Sequence, residues 1–247
     1  MLIIVKIGSP SFTSWNSLRL FGLCAIASLS FCLVANAQSV IYCETFGNNQ
    51  DVDVSLSEIN TDWRGYRGRD AKDITEDNSS ASSKVVSSNP GFPQNVPNEG
   101  TPEASLSESK GFVFQNFDPA LFVTTSFEID PSKYSKLTFS WHAANSSEED
   151  GFRLAIRVGD AWYATDQLFT TPATNIAGFE QNPQDFNYTT QALKWRHLDF
   201  APGEMLAVGE VCTMDLPREK ISGFGILFEG ANSNKRFDTF TVLGTPL

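Results

Sequence analysis

Gly151-Phe152-Arg153-Leu154-Ala155-Ile156-Arg157-Val158 alternates large apolar side chains with small or charged ones at every step. A period of two belongs to a β-strand, so Phe152, Leu154, Ile156 and Val158 share one face while Arg153, Ala155 and Arg157 share the other. The apolar face needs a second layer to cover it, which makes this segment part of a layered core. Just upstream, Leu137, Phe139 and Trp141 oppose Thr138, Ser140 and His142 in the same way. Working outward, strand-like runs occur at 40–46, 111–117, 121–129 and 161–165, then at 194–200, 224–229 and 237–243, with no long amphipathic helix. The expected fold is all-β, an antiparallel two-sheet β-sandwich of jelly-roll type.

Residues 1–37 read differently. An apolar run over 20–34 follows Arg19 and stops at Ala35-Asn36-Ala37, the pattern of an export signal with its cleavage site. A run of about 15 residues is short for a membrane span, which needs roughly 20. The expectation is therefore a signal peptide over 1–37 and one β-sandwich domain over 38–247. The mature chain, with no membrane span after cleavage, would be secreted, periplasmic or held at the cell surface. A change to Ser, Asn, Glu and Pro near 78–110, with Pro90, Pro93, Pro97 and Pro102, predicts a long polar loop there. The stretch 170–190, with Pro172 and Pro183, reads as a second loop.

The chain carries 18 basic and 29 acidic residues, a formal net charge of -11. Binding to phosphates needs clustered Lys and Arg, so a nucleic-acid partner is not expected. Cys24 and Cys32 would leave with the signal, and Cys43 and Cys212 remain. Two cysteines in an exported chain predict one disulfide. Its loop of about 170 residues would contribute somewhat over ~4 kcal/mol in the chain-entropy picture. Two separately buried thiols are the alternative.

The two ends of the domain carry a family resemblance. Ile41-Tyr42-Cys43-Glu44-Thr45-Phe46-Gly47-Asn48 and Lys235-Arg236-Phe237-Asp238-Thr239-Phe240-Thr241-Val242 resemble the first and last strands of secreted carbohydrate-binding-module-like jelly rolls, of galactose-binding-like or laminin-G-like type. The resemblance implies a structural calcium held by Glu44 and Asp238, although Thr239 stands where many such domains have Asn. Calcium takes six to eight oxygen ligands, so two carboxylates on adjacent strands with loop carbonyls suit it chemically. Two ordinary solvent-facing acids are the competing reading.

No H-E-x-x-H metal motif, G-x-S-x-G elbow or phosphate-binding loop occurs, and His142 and His197 are the only histidines. Glu148-Glu149-Asp150 reads as a solvated hairpin rather than a glycosidase acid pair. Trp63-Arg64-Gly65-Tyr66-Arg67-Gly68-Arg69 combines aromatic faces, which stack on sugars, with arginine forks, which bind hydroxyls or carboxylates. Trp63, Tyr66 and Arg67 are thus candidate carbohydrate contacts, together with Arg153, Arg157 and Trp162. Trp63 as a core anchor, with the arginines paired to Asp62, Asp70 and Asp73, is the plainer alternative. Of the remaining tryptophans, Trp141 shares an apolar strand face and Trp162 sits beside a turn. The leading expectation is a non-catalytic carbohydrate-binding protein recognising a polysaccharide or glycan. The second is a polysaccharide lyase in which Arg153 and Arg157 neutralise a uronate and His142 or Tyr163 removes a proton. The third is a structural or adhesion protein of the cell surface.

Overall fold

The computed structural model describes residues 38–47, 52–77, 83–86, 112–116, 118–146, 150–171, 183–231 and 234–247. The expected signal peptide, 1–37, and most of the expected polar loop, 78–82 and 87–110, lie outside the described residues. In chain order the strands are β1 (Ser39–Glu44), β2 (Arg64–Arg67), β3 (Lys72–Asp73), β4 (Ser83–Val86), β5 (Phe112–Asn116), β6 (Ala120–Thr124) and β7 (Tyr134–Asn145). They continue as β8 (Gly151–Val158), β9 (Ala161–Thr165), β10 (Pro183–Asn187), β11 (Trp195–Ala201), β12 (Met205–Val211), β13 (Ile221–Glu229) and β14 (Asn234–Pro246). Among the described residues, no helix is long and apolar enough to cross a membrane.

Two antiparallel sheets make up a β-sandwich of the jelly-roll type. The first has the order β10-β7-β14-β5-β4, with β1 also paired to β14, and the second runs β12-β11-β9-β8-β13-β6-β2-β3. Their facing sides interdigitate through aromatic side chains. Phe152, Leu154, Ile156 and Val158 of β8 are buried there with Phe139 and Trp141 of β7, as the alternation requires. Phe224 of β13 stacks on Phe240 of β14 at 5.5 Å with rings nearly parallel, joining the sheets at their centre. A fully buried phenylalanine contributes roughly 1.5–3 kcal/mol, so this aromatic layer is a major source of cohesion.

The second sheet is strongly curled. Tyr66 on β2 and Phe200 on β11 have four strands between them in the sheet order, yet their rings meet edge to face at 4.9 Å. The hairpins at the two sheet margins also bond to each other: the Gly203 N–H donates to the Ala71 carbonyl at 3.0 Å, and the Leu206 N–H to the Arg69 carbonyl at 2.8 Å. The outer face of this sheet therefore wraps round a second apolar cluster that includes Leu121, Val123, Ala155, Ala164, Leu198, Leu206 and Leu227. Its middle is filled, and open space remains toward its ends.

Several strands differ from the sequence reading. β2 lies in the candidate recognition segment, where no strand was expected, β4 within the polar loop, and β10 in the stretch read as a second loop. β10 is a margin strand that begins at Pro183, a position where the missing N–H interrupts no ladder. Asp150 is not part of a solvated hairpin: it is 1% exposed, and its Oδ2 lies 3.3 Å from the equally buried Lys235 Nζ. Glu148 and Glu149 lie outside the described residues.

The expected Cys43–Cys212 disulfide is absent. Tyr42 and Glu44 on β1 turn toward the core side, where they bond to Trp63 and Thr61, so strand alternation sends Cys43 to the opposite face. Cys212 follows β12 in the other sheet, is 2% exposed and belongs to the core cluster between the sheets. Burial pushes its thiol pKa up, which disfavours the reactive thiolate.

Candidate functional site

At one end of the curled sheet, four strands bring aromatic and charged side chains round a cleft of about 420 Å³. Alternation on β2 places Arg64 and Tyr66 on the outer face; β8 supplies Arg157, β9 Trp162 and β11 Phe200. Trp162 can lie across the sheet because β13 has Gly223 beneath it, where a Cβ would come within 3.0 Å of the indole Cη2. The Trp162 and Phe200 rings meet edge to face at 5.6 Å, and Phe200 in turn touches Tyr66. Trp162 and Phe200 also line an adjoining cleft of about 280 Å³ with His197 and Asp199.

Acids and bases alternate round the rim. Arg157 Nη2 lies 3.7 Å from Asp160 Oδ1, too long for a hydrogen bond, and its buried Nε has no hydrogen-bond partner among the described residues. Arg64 Nη2 donates to Asp73 Oδ2 at 2.8 Å. Burial pushes the Tyr66 phenol above its ordinary pKa, partly offset by Arg64 beside it, so the hydroxyl is neutral and can both donate and accept. With Asp62 and Asp160 lining it beside Arg64 and Arg157, the cleft presents ring faces and hydrogen-bonding groups without a strong net charge.

Tyr66, Arg157 and Trp162 thus share a cleft, while the other sequence candidates lie apart. Trp63 precedes β2 with its side chain on the core face; it is 1% exposed, and its Nε1 donates to the Tyr42 hydroxyl at 2.6 Å. No ring face is left for a sugar. Arg67 alternates away from Tyr66 and lies 3.8 Å from Asp118. Arg153 is buried, pairs with Glu229, and donates through Nη1 to the carbonyls of Thr165 and Asp166. His142 belongs to β7 in the other sheet, opposite Asp238, and is 3% exposed. Tyr163 is buried among the inter-sheet residues beside His197. Arg153, Arg157, His142 and Tyr163 therefore do not converge on one cavity. Phe200 and Asp160 were not singled out as site residues in the sequence, and Asp62 entered only as a pairing partner for the arginines; the alternation of Leu198 and Phe200 was the available signal for the first.

Glu44 and Asp238 lie on the paired strands β1 and β14. Glu44 accepts from the Phe46 N–H at 2.8 Å and from the Thr61 hydroxyl at 2.5 Å, and Asp238 accepts from the Thr239 N–H at 2.7 Å. Burial is the main cause that raises both carboxyl pKa values, and the Glu44 charge adds to the rise at Asp238. Neither forms a salt bridge with a Lys or Arg among the described residues. Here β14 is irregular: its register with β7 shifts between Asp238 and Thr241, and Thr239 has a φ of 48°. That is an unfavourable conformation for a β-branched residue. Among the described residues, no group of three or more His, Cys, Asp or Glu gathers as a metal cluster.

No family model matches the sequence, and no curated protein matches it. Solved structures do match. One is an exo-β-agarase at 8% identity and TM-score 0.42, covering 85% of this chain and 25% of that chain. TmCBM61, in complex with β-1,4-galactotriose, matches at 13% identity and TM-score 0.31 over 81% of this chain and 99% of its own. A family 11 carbohydrate-binding module from Clostridium thermocellum, in complex with a β-1,3-1,4-mixed-linked tetrasaccharide, matches at 13% identity and TM-score 0.38 over 79% and 96%. The chain is similar to carbohydrate-binding modules. It spans a quarter of the agarase chain.

Proposed function

We propose that the chain is an exported, non-catalytic carbohydrate-binding module whose site is the cleft built by Tyr66, Trp162 and Phe200. The observation that carries this reading is the meeting of three aromatic rings with the arginine forks and carboxylates of Arg64, Arg157, Asp62 and Asp160. Apolar ring faces take the C–H surface of a sugar, while the polar rim takes its hydroxyls. Export is proposed from the signal-like segment 1–37.

Affinity electrophoresis through gels containing single polysaccharides tests the reading. The mature chain should be retarded by at least one neutral polymer, and Trp162→Ala should markedly weaken the retardation while preserving the melting temperature. Unretarded migration through neutral and uronate polymers alike would overturn it.

We further propose a structural calcium at Glu44 and Asp238. A buried and a partly buried carboxylate, neither paired with a cationic side chain among the described residues, are chemically suited to a hard dication, and the Thr61 hydroxyl is a further oxygen nearby. A bound ion would offset the charges of both carboxylates and fasten β1 to β14. Calcium should raise the melting temperature relative to EDTA-treated protein; equal values in both would remove this proposal.

A further inference from the structure

The open space beside Tyr66 and Arg157 does not end at Trp162. The adjoining cleft of about 280 Å³ shares Asp160, Trp162, Phe200 and Ala201 with it, so the two meet along one ring pair, Trp162 and Phe200. The strand register explains the second cleft. β9 begins at Ala161 and its pairing with β11 stops where Trp162 meets Leu198, whereas β11 continues to Ala201. Past Leu198 the edge of β11 has no strand beside it, and Asp160 and Ala161 of the β8–β9 turn supply the facing wall. The result is a notch bordered by side chains from both faces of β11: Leu198 and Phe200 from one, His197 and Asp199 from the other.

The polar groups of this notch are within reach of a ligand. Asp160, His197 and Asp199 are exposed, and Met205 at the rim is 46% exposed. No ion pair or hydrogen bond engages the Asp199 carboxylate among the described residues. The lining also differs in kind from that of the Trp162 cleft. There Arg64 and Arg157 supply donors; here no Lys or Arg lines the wall, and its ionisable side chains are Asp160, His197 and Asp199. Those three do not gather closely enough to hold a metal ion. A carboxylate accepts hydrogen bonds and donates none, so it suits a partner rich in hydroxyls and repels one bearing carboxylate or sulfate. Trp162, Phe200 and Leu198 give the notch an apolar surface for the C–H face of a sugar ring.

We propose that the notch is a second subsite of the same groove, where Asp199 and Asp160 accept hydroxyls from the sugar next to the one held beside Tyr66. The ligand is then an uncharged stretch of polysaccharide, with linked sugars on the two sides of the Trp162–Phe200 pair. The proposal rests on the glycan-binding reading of the Trp162 cleft. A sugar in the notch is tied covalently to its neighbour, so its contacts add to binding without a second loss of translational freedom. Asp199 is the specificity-determining residue, because a uronate or sulfate ester at that position meets its charge. The excess of acidic over basic residues in the whole chain acts in the same direction.

Titration calorimetry with gluco-, galacto- and xylo-oligosaccharides of graded length tests this, with the first two also measured after oxidation at C6 to uronates. For a series that binds, affinity should rise about tenfold from the single sugar to the longer oligomers. Asp199→Ala should remove most of that rise and leave the single sugar unaffected, whereas Trp162→Ala should weaken every length. The uronates should bind the parent chain less tightly than their neutral counterparts, and Asp199→Lys should narrow or reverse that difference. Both Asp199 variants should melt with the parent, since the residue is exposed and its side chain unengaged. Affinity independent of length, or rising equally in Asp199→Ala, would overturn the second subsite and spare the Trp162 cleft. Equal affinity for neutral and uronate oligomers would overturn the selectivity assigned to Asp199. If none of the three series binds, the proposal fails, and retardation by a neutral polymer in affinity electrophoresis decides separately whether the Trp162 reading stands.

Discussion

Lys235 and Asp150 show how much a single buried pair can govern. Their side chains are 0% and 1% exposed, and burial lowers the lysine pKa while Asp150 pulls it back up. Replacing only Lys235, as in Lys235→Met, strands a carboxylate in the core and should destabilise the fold by about 3–5 kcal/mol in chemical denaturation. Lys235→Met combined with Asp150→Leu should be less harmful than the single change, because no uncompensated charge remains. Trp162 is the corresponding residue at the surface. Aromatic truncation at the centre of a binding site commonly weakens binding by about 2 kcal/mol or more. Trp162→Ala should therefore reduce glycan affinity at the cleft roughly thirtyfold in calorimetry, the equivalent of that energy.

At the scale of elements, the curl of the second sheet depends on close approaches. A methyl at Gly225 on β13 would lie 1.9 Å from the Phe122 carbonyl oxygen of β6, a backbone contact that no rotamer can relieve. Gly225→Ala should cost about 3 kcal/mol or more, measured by urea unfolding. Phe200→Ala tests the closure itself. Removing the ring that touches both Tyr66 and Trp162 should speed amide exchange at Gly203 and Leu206, the two donors bridging the marginal hairpins, more than at the central strand β13. The sequence made β7, β8 and β13 legible because their apolar residues recur at every second position. It concealed β2, whose Arg and Gly residues break the apolar alternation, and β10, whose opening proline suggested a break. Tyr66, Arg157 and Trp162 were readable as candidates by residue type. That Trp63 and Arg153 would be enclosed depended on which face each occupied and on what lay across from it.

For the molecule as a whole, pH and metal should act together. The carboxyls of Glu44 and Asp238 have folded pKa values raised above their unfolded values of roughly 4. The folded state therefore binds their protons more tightly, and their contribution to metal-free stability is fully present below the unfolded pKa. It is lost as pH rises through the raised folded values. In EDTA, stability from this pair should fall as pH increases through that window, and Asp238→Asn should flatten the trend. With calcium the trend should reverse, because ligation requires ionised carboxylates. Melting temperatures measured across pH, with and without calcium, distinguish the two cases; identical curves would count against the metal.

The placement of β14 has a kinetic consequence. In its sheet it separates β7 from β5 and also holds β1, to which it is joined across about two hundred residues of chain. Until residues 234–246 emerge from the ribosome, β10–β7 and β4–β5 have no common neighbour, and β1 has no partner in the sheet. A nascent chain therefore holds this sheet as separate ribbons through most of its synthesis, and the sheet closes only when its last strand arrives.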